Sequence, residues 1–394
     1  MNLLSQISPE PLDIVRSLAH HGYEAYIVGG AVRDLLLGAV PKDYDITTSA
    51  TPEEIRAVFG RRSSRIIGRR FRLVHVYAGG SHTIYEVSTF RRQPDSNERR
   101  GKKSDDGKMI WNDNVYGTLE DDASRRDFTV NALYLDVMGD GQILDFSHGQ
   151  DDLKRKIVRV IGDPAERFAE DPVRMLRALK LVGQYGFRLD KPLEKALRAN
   201  LEKLTLASPA RLFEELLKIV GGGHPILPIL ETFHHYGLLK YFWPVYDQAW
   251  EEGEGDFSRR LLKTYDMYMQ TSDSPPSKAL CLSVLVLPFL MSAHNPQNMF
   301  KLWKPSVEGA RLCQRVIDVL FENYNVPRLF SARTADICNL VPKMMLRPLP
   351  KSVTGHIEYR YGKLLTEILF DTCHWDRSAL DKLPPAPPRR SYRK

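Results

Sequence analysis

The pattern of apolar and polar positions changes character near residue 150. Before it, short apolar runs with period-two alternation are broken by glycines and polar turns; after it, apolar residues recur at i, i+3 and i+4. Ser8-Pro9 reads as an N-cap with proline at the first helical position, and Leu12, Val15 and Leu18 keep helical spacing until Gly22. "EAYIV" predicts a strand, Gly29-Gly30 a turn, and "AVRDLLLG" one or two helical turns ended by Gly38. "DYDITT" reads as the next strand, and Thr51-Pro52-Glu53-Glu54 as a capping box that starts the helix "PEEIRAVF". "RLVHVYA" and "TIYEVSTF" alternate in period two and predict two strands joined by the turn "AGGSH". Residues 92 to 114 are polar and aperiodic, which predicts a mobile loop. From about residue 152, "DPVRMLRALKLVGQYG", "KPLEKALRANLEKL", "SPARLFEELLKIVGGG" and "PILPILETFHHYGLL" predict helices, and "ALCLSVLVLPFLM" a buried core helix.

The expected fold class is therefore α+β: an N-terminal head over residues 1–150 with a small mixed β-sheet, then all-α neck, body and tail. The neck is expected over 151–225, the body and tail over 226–380, and a basic, proline-rich, disordered arm over 381–394. A length of 394 residues supports more than one hydrophobic core, and no internal repeat of fixed period occurs.

Composition adds an anionic partner. The formal charge is +7, and residues 61 to 72, "RRSSRIIGRRFR", hold six arginines and no acid. A second basic cluster, "RRQPDSNERRGKK", follows at 91 to 103, and "PPRRSYRK" closes the chain. Any one cluster reads as a solvated surface; three together favour a polyphosphate or nucleic acid. No stretch approaches the roughly 18 to 20 apolar residues of a membrane span, so no membrane partner is expected. The first residues lack a basic segment followed by an apolar one, which sets cytoplasmic as the expected location. Cys281, Cys313, Cys338 and Cys373 form no CxxC pair and read as reduced, mostly buried thiols.

The chemistry concentrates in acids. In a strand, Asp43 and Asp45 share one face while Tyr44 and Ile46 take the other. Two carboxylates held together are costly without a cation between them, and hard oxygen donors suit Mg²⁺ or Mn²⁺. Glu86 interrupts "TIYEVSTF"; if that strand lies beside "DYDI", three acids converge on a site able to hold two ions for phosphoryl transfer. A lone DxD is a weak signal, and twelve residues after "VGG" it is a much stronger one. Asp171 and Arg174 of "EDPVR" form an N-cap and first-turn pair or flank a kink, and together offer an acceptor and a donor. Adenine and cytosine, unlike guanine and uracil, present the complement on their Watson-Crick edges, but taken alone Asp171 and Arg174 read as an ion pair on a solvated helix face.

The glycine pair, the spacer and "DYDI" resemble the polymerase-β-like nucleotidyltransferases. "RRDFTVNAL", "DFSHGQDDLKRKIVRVIGDP", "RFAEDPVRMLRALKL" and "PARLFEELLKI" are similar to segments of the class II branch, which holds bacterial poly(A) polymerases and tRNA CCA-adding enzymes. The resemblance spans roughly residues 24 to 220. It implies that Asp43 and Asp45 bind both catalytic metals, with Glu86 the candidate third acid. Gly29, Gly30 and Arg33 match the triphosphate-binding turn, Arg126 and Asp127 the motif that contacts sugar and phosphates, and Asp171 and Arg174, with Arg177 one turn on, the base-reading element. Arg69, Arg70 and Arg72 of the arginine-rich segment, together with Arg211, are the expected RNA-contacting set. That segment and the basic arm resemble the poly(A) polymerase branch, which implies AMP transfer from ATP to RNA 3′ ends; RNA-degradation or RNA-chaperone proteins are candidate partners, and a monomer is the expectation where the sequence leaves the oligomeric state open. The alternatives are a tRNA CCA-adding or A-adding enzyme using CTP and ATP, and a non-catalytic RNA-binding protein. His75, His234 and His235 have no assigned role.

Overall fold

A computed structural model describes residues 3–68, 72–78, 83–93, 102–103, 109–110, 115–272 and 277–386. The chain divides into two compact units, one of Met1–Arg167 with Phe187–Leu197, the other of Phe168–Gly186 with Arg198–Lys394.

The first unit is built on strands β1 (Ala25–Val28), β2 (Asp45–Thr48), β3 (Ser64–Ile67), β4 (Leu73–Tyr77), β5 (Ile84–Thr89), β6 (Lys102–Lys103), β7 (Met109–Ile110), β8 (Leu133–Asp136), β9 (Gln142–Asp145), β10 (Ile157–Val158) and β11 (Arg188–Leu189). Seven of them form one mixed sheet in the order β3-β4-β5-β2-β1-β8-β9, in which only the β2–β5 pair is parallel. Ile27, Ile46, Val74, Val76, Val87 and Leu135 alternate along the central strands and are buried, each contributing about 1.5–3 kcal/mol on transfer from water. Helices α1 (Pro9–His20) and α3 (Pro52–Ser63) pack on the sheet. The capping box of α3 forms as expected: the Thr51 amide donates to Glu54 Oε2 at 2.7 Å, and Thr51 Oγ1 accepts from the Glu54 amide. Between β1 and β2, Gly29 takes a φ of +81°, open mainly to glycine, and starts the short helix α2 (Gly30–Leu36). Helices α4 (Leu119–Arg125), α5 (Gly149–Lys154) and α6 (Pro164–Glu170) follow.

Two expectations need correction, and one strand was not anticipated. β3 runs through the arginine-rich segment, where the charges masked an edge strand whose Ile66 and Ile67 are half-buried. The aperiodic stretch at 92–114 contains a two-stranded ribbon, β6 with β7; the rest of its interior, like the "AGGSH" turn from residue 79 and the basic arm from 387, lies outside the described residues. Asp43 precedes β2, because β1 ends at Val28, the partner of Asp45, where Gly29 turns the chain away.

The second unit is helical: α7 (Arg174–Tyr185), the end of α8 (Lys191–Asn200), α9 (Pro209–Val220), α10 (Leu227–His235), α11 (Leu239–Phe242), α12 (Pro244–Trp250), α13 (Gly253–Gln270), α14 (Lys278–His294), α15 (Val307–Leu320), α16 (Arg328–Lys343), α17 (Lys351–Thr354) and α18 (Tyr359–Cys373). The apolar α14 is buried along most of its length, as its composition predicts, and packs with α13, α15, α16 and α18. The four cysteines are free, and Cys281, Cys313 and Cys338 are buried. No helix among the described residues is long and apolar enough to cross a membrane. Gly183 lets α10 approach α7 closely: a Cβ there would meet the Ile229 Cα at 2.7 Å.

Asp266 on α13 is buried and accepts the backbone amides of Ile226 at 2.9 Å and Leu227 at 3.0 Å. Burial pushes its carboxyl up to about 6 against the pull of those amides. A raised carboxyl stabilises the fold fully below the unfolded value of 3.8, and that contribution is lost as pH rises through about 6. Urea unfolding at pH 5 and 7.5 should therefore show wild type losing about 1.4 kcal/mol relative to Asp266→Asn across this window. Parallel behaviour of the two proteins would assign the dependence elsewhere.

Candidate active site

The register of the sheet sets one row of residues across all seven strands. Arg65 lies opposite His75, His75 opposite Glu86, Glu86 opposite Asp45, Asp45 opposite Val28, Val28 opposite Tyr134, and Tyr134 opposite Leu144. Partners across neighbouring strands share a face, so Asp45 and Glu86 stand side by side at the middle of the sheet. Both are exposed, whereas Ile46 and Val87, one residue on, are buried on the other face. His75 Nε2 comes within 3.7 Å of Glu86 Oε1, which gives that histidine a location the sequence did not suggest. The signal was present in "LVHVY", where alternation sets His75 opposite in direction to Val74 and Val76.

A cleft of about 250 Å³ opens on this face, lined by Asp45, Glu86, Ser88, Arg91, Arg125 and Arg126 among others. Arg126 Nε donates to Tyr134 Oη at 2.9 Å and to Asp122 Oδ2 at 3.2 Å, and its Nη2 donates to Asp122 Oδ2 at 2.9 Å. Burial works against the Arg126 charge, but Asp122 and the Tyr134 hydroxyl outweigh it and hold its pKa above the usual guanidinium value. Arg33 is buried, with Nε and Nη2 on Asp34 and Nη1 donating to Asn131 Oδ1 at 2.7 Å. Asn131 Nδ2 in turn donates to Asp127 Oδ1, which also accepts the Phe128 amide. The Gly29-Gly30 turn is bordered by two guanidinium groups: Arg126 Nη1 is 3.7 Å from the position of a Gly29 Cβ, and Arg33 Nη2 is 3.4 Å from that of Gly30.

Asp43 is exposed just before β2. Among the described residues no three His, Cys, Asp or Glu side chains are gathered closely enough to hold a metal ion. The donor chemistry of Asp43, Asp45 and Glu86 suits a hard divalent cation, with two of the three already adjacent.

In the helical unit, Asp171 sits in the break between α6 and α7, where its Oδ1 accepts the Val173 amide. The side chains of Asp171 and Arg174 take different partners. Asp171 Oδ2 takes Arg211 Nη2 at 2.6 Å, and Arg174 Nη1 takes Glu170 Oε2 at 3.1 Å. Arg177 pairs with the buried Glu215 at 2.8 Å; burial raises that carboxyl, and Arg177 with Lys218 outweighs it, so its pKa lies below the usual range. In the head, Arg72 is paired with Glu53, while Arg69 and Arg70 lie outside the described residues. His234 bridges Asp247 at 2.8 Å and Glu251 at 2.6 Å. A larger hollow of about 550 Å³ between α15 and α16, with Gln314, Asp318, Tyr324 and Arg328 in its wall, has no comparable pairing of acids beneath arginines.

Residues 25–159 match the family model of the poly A polymerase head domain, and residues 186–249 that of the probable RNA- and SrmB-binding site of polymerase A. Poly(A) polymerase I of Haemophilus influenzae is 44% identical over 65% of this chain and 56% of its own length. Poly(A) polymerase I of Escherichia coli O6:H1 is 35% identical over 86% of this chain and 73% of its own length. The CCA-adding enzyme of Lactobacillus helveticus is 32% identical over 86% of this chain and 79% of its own length. Among solved structures, that of the Bacillus stearothermophilus CCA-adding enzyme in complex with CTP matches with a TM-score of 0.59 and 27% identity, covering 96% of this chain and 80% of that one. The chain belongs to the bacterial poly(A) polymerase and CCA-adding class II family. The α+β architecture expected from the sequence is that of this family.

For this class II chain, the head shows what motif reading passed over. Asp122, Tyr134, Asn131 and Arg91 each hold a motif arginine or line the cleft. Only the strand alternation of "LYLD" hinted at Tyr134. For the helical unit, Asp171→Asn and Arg211→Ala should be non-additive in unfolding free energy, with a coupling of about 0.5–1 kcal/mol, since the pair is partly exposed. Additive single and double variants would show that the 2.6 Å contact contributes nothing to the fold.

Proposed function

We propose that this chain is a template-independent RNA 3′-adenylyltransferase, which transfers AMP from ATP to an RNA 3′-hydroxyl and releases pyrophosphate. The observation that carries the reading is the Asp45–Glu86 pair in register beneath an arginine-lined cleft. The 44% and 35% identities to poly(A) polymerases I support it.

Members of this family use divalent metal ions. Asp43, Asp45 and Glu86 would hold them, Mg²⁺ first and Mn²⁺ as the alternative. When bound, two such ions would polarise the attacking hydroxyl and offset the charge of the leaving pyrophosphate. The chain's own groups do the rest. The Gly29-Gly30 turn with Arg33, Arg126 and Asp127 would receive sugar and triphosphate, Asp171, Arg174 and Arg177 would read the base, and Arg72, Arg211 and the neighbouring Arg69 and Arg70 would track the RNA backbone. We extend the reading to a cytoplasmic monomer that works on RNA ends in company with RNA-degradation or RNA-chaperone proteins.

The CCA-adding alternative draws on the 32% identical relative and on base-pair chemistry that treats adenine and cytosine alike. Product length decides. With Mg²⁺, labelled ATP and an unstructured RNA, the expected product is an open ladder of added adenosines, with no extension from CTP alone; a product that stops at C-C-A on a tRNA lacking its end would overturn the assignment. Asp45→Ala should abolish extension while RNA affinity stays within about two-fold, because phosphate contacts elsewhere dominate that affinity. Normal turnover in this variant would remove the metal assignment.

A further inference from the structure

Asp122 is among the few charged side chains buried in the head, 4% exposed, and it fixes the Arg126 guanidinium while also meeting Arg91 and Arg125. It stands in the first turn of α4 yet does not cap that helix, a task done by Thr118 and Asp121. Its Oδ2 accepts from Arg126 Nε, Arg126 Nη2 and, at 3.0 Å, Tyr134 Oη. Its Oδ1 accepts the Arg91 amide at 3.3 Å and lies 3.8 Å from Arg125 Nε. A buried carboxylate is costly without such partners, and here every partner is a residue that lines the cleft or bonds to one.

The consequence lies in which edge of Arg126 is used. Asp122 and Tyr134 occupy Nε and Nη2, while Nη1 makes no hydrogen bond to the described residues and lies 3.7 Å from the position a Gly29 Cβ would take. The guanidinium is therefore clamped from behind with one donor edge left against the glycine turn. We propose that Asp122 is a positioning residue, which aims the open edge of Arg126 at a polyphosphate seated on the Gly29-Gly30 turn. The inference rests on the nucleotidyltransferase reading for the identity of that anion, the triphosphate of the incoming nucleotide. A clamp of this kind fixes a planar fork, which a lysine in place of Arg126 could not reproduce.

The test separates the anion from the rest of the nucleotide. Equilibrium binding of ATP, inorganic tripolyphosphate and adenosine is measured with wild type, Asp122→Asn, Arg126→Lys and the double variant. Asp122→Asn keeps the shape but turns an amide toward donors; it should weaken ATP and tripolyphosphate about ten-fold or more and leave adenosine and RNA binding unchanged. The double variant should bind tripolyphosphate no more weakly than the worse single variant, because both act through one guanidinium. A change within two-fold for tripolyphosphate, an equal loss for adenosine, or additive losses in the double variant would overturn the role. If Asp122→Asn does not fold, Tyr134→Phe decides alone: it removes one hydroxyl from the same clamp, and about three-fold weaker tripolyphosphate binding supports the role while unchanged binding overturns it. Wild-type AMP transfer to RNA is assayed in parallel. Its absence alongside Asp122-dependent anion binding would remove the adenylyltransferase reading and leave the clamp standing.

Discussion

Everything at the cleft depends on the register of a single parallel strand pair, β2 with β5. Asp45 and Glu86 are opposite each other, a placement that destabilises a sheet by a fraction of a kcal/mol to about 1 kcal/mol. The opposite face explains why it persists. A slip of β2 by one residue would turn Ile46 outward and bury Asp45, and a slip of β5 would do the same to Val87 and Glu86, each at a cost of several kcal/mol. The apolar face therefore fixes the polar one. Repulsion between the acids remains small because both are exposed, and His75 stands next in the row beside Glu86.

The cleft combines acids of two kinds. Asp45 and Glu86 are exposed, whereas Asp122 is buried and held by Arg126 and Tyr134. Exposed carboxylates can exchange water for a cation at little cost, since they need not leave a low-dielectric site to do so. The buried one does the reverse and spends its charge holding cationic groups in place. A negative row beside a positive rim attracts neither a simple anion nor a simple cation well. It suits a ligand carrying both signs, such as a polyphosphate with its divalent ions, and that complementarity is what the proposed reaction needs.

The parts legible from sequence are those encoded locally. Alternation set Asp45 and Glu86 each apart from the apolar residue that follows it, leaving only the pairing of their strands to tertiary structure, and the Thr51 capping box and the apolar α14 announced themselves by composition. Asp43 escaped because the end of a strand is set by its partner: β1 stops at Val28, and no feature of "KDYDI" encodes that. β3 escaped because arginines at an exposed edge conceal a half-buried pair of isoleucines. Asp122 was hidden among "EDDAS", where acids are expected in any first helical turn, and only tertiary packing distinguishes the capping Asp121 from its buried neighbour.

The helical unit poses an energetic question for base reading. Asp171 and Arg174, proposed to read one base together, are each paired elsewhere, with Arg211 and Glu170. Asp171 and Arg174 are largely buried and their partners partly exposed, and partly exposed ion pairs of this kind are worth about 1 kcal/mol. A base bonded through its Watson-Crick edge to both a carboxylate and a guanidinium gains charge-assisted hydrogen bonds of about 1.5–3 kcal/mol each. In the proposed role, exchange would be downhill for adenine or cytosine. For guanine or uracil the donors and acceptors oppose, and the resident pairs win. In the proposed role these pairs therefore act as competitors that a correct base outbids, so the contacts that occupy Asp171 and Arg174 would sharpen selectivity while costing little affinity.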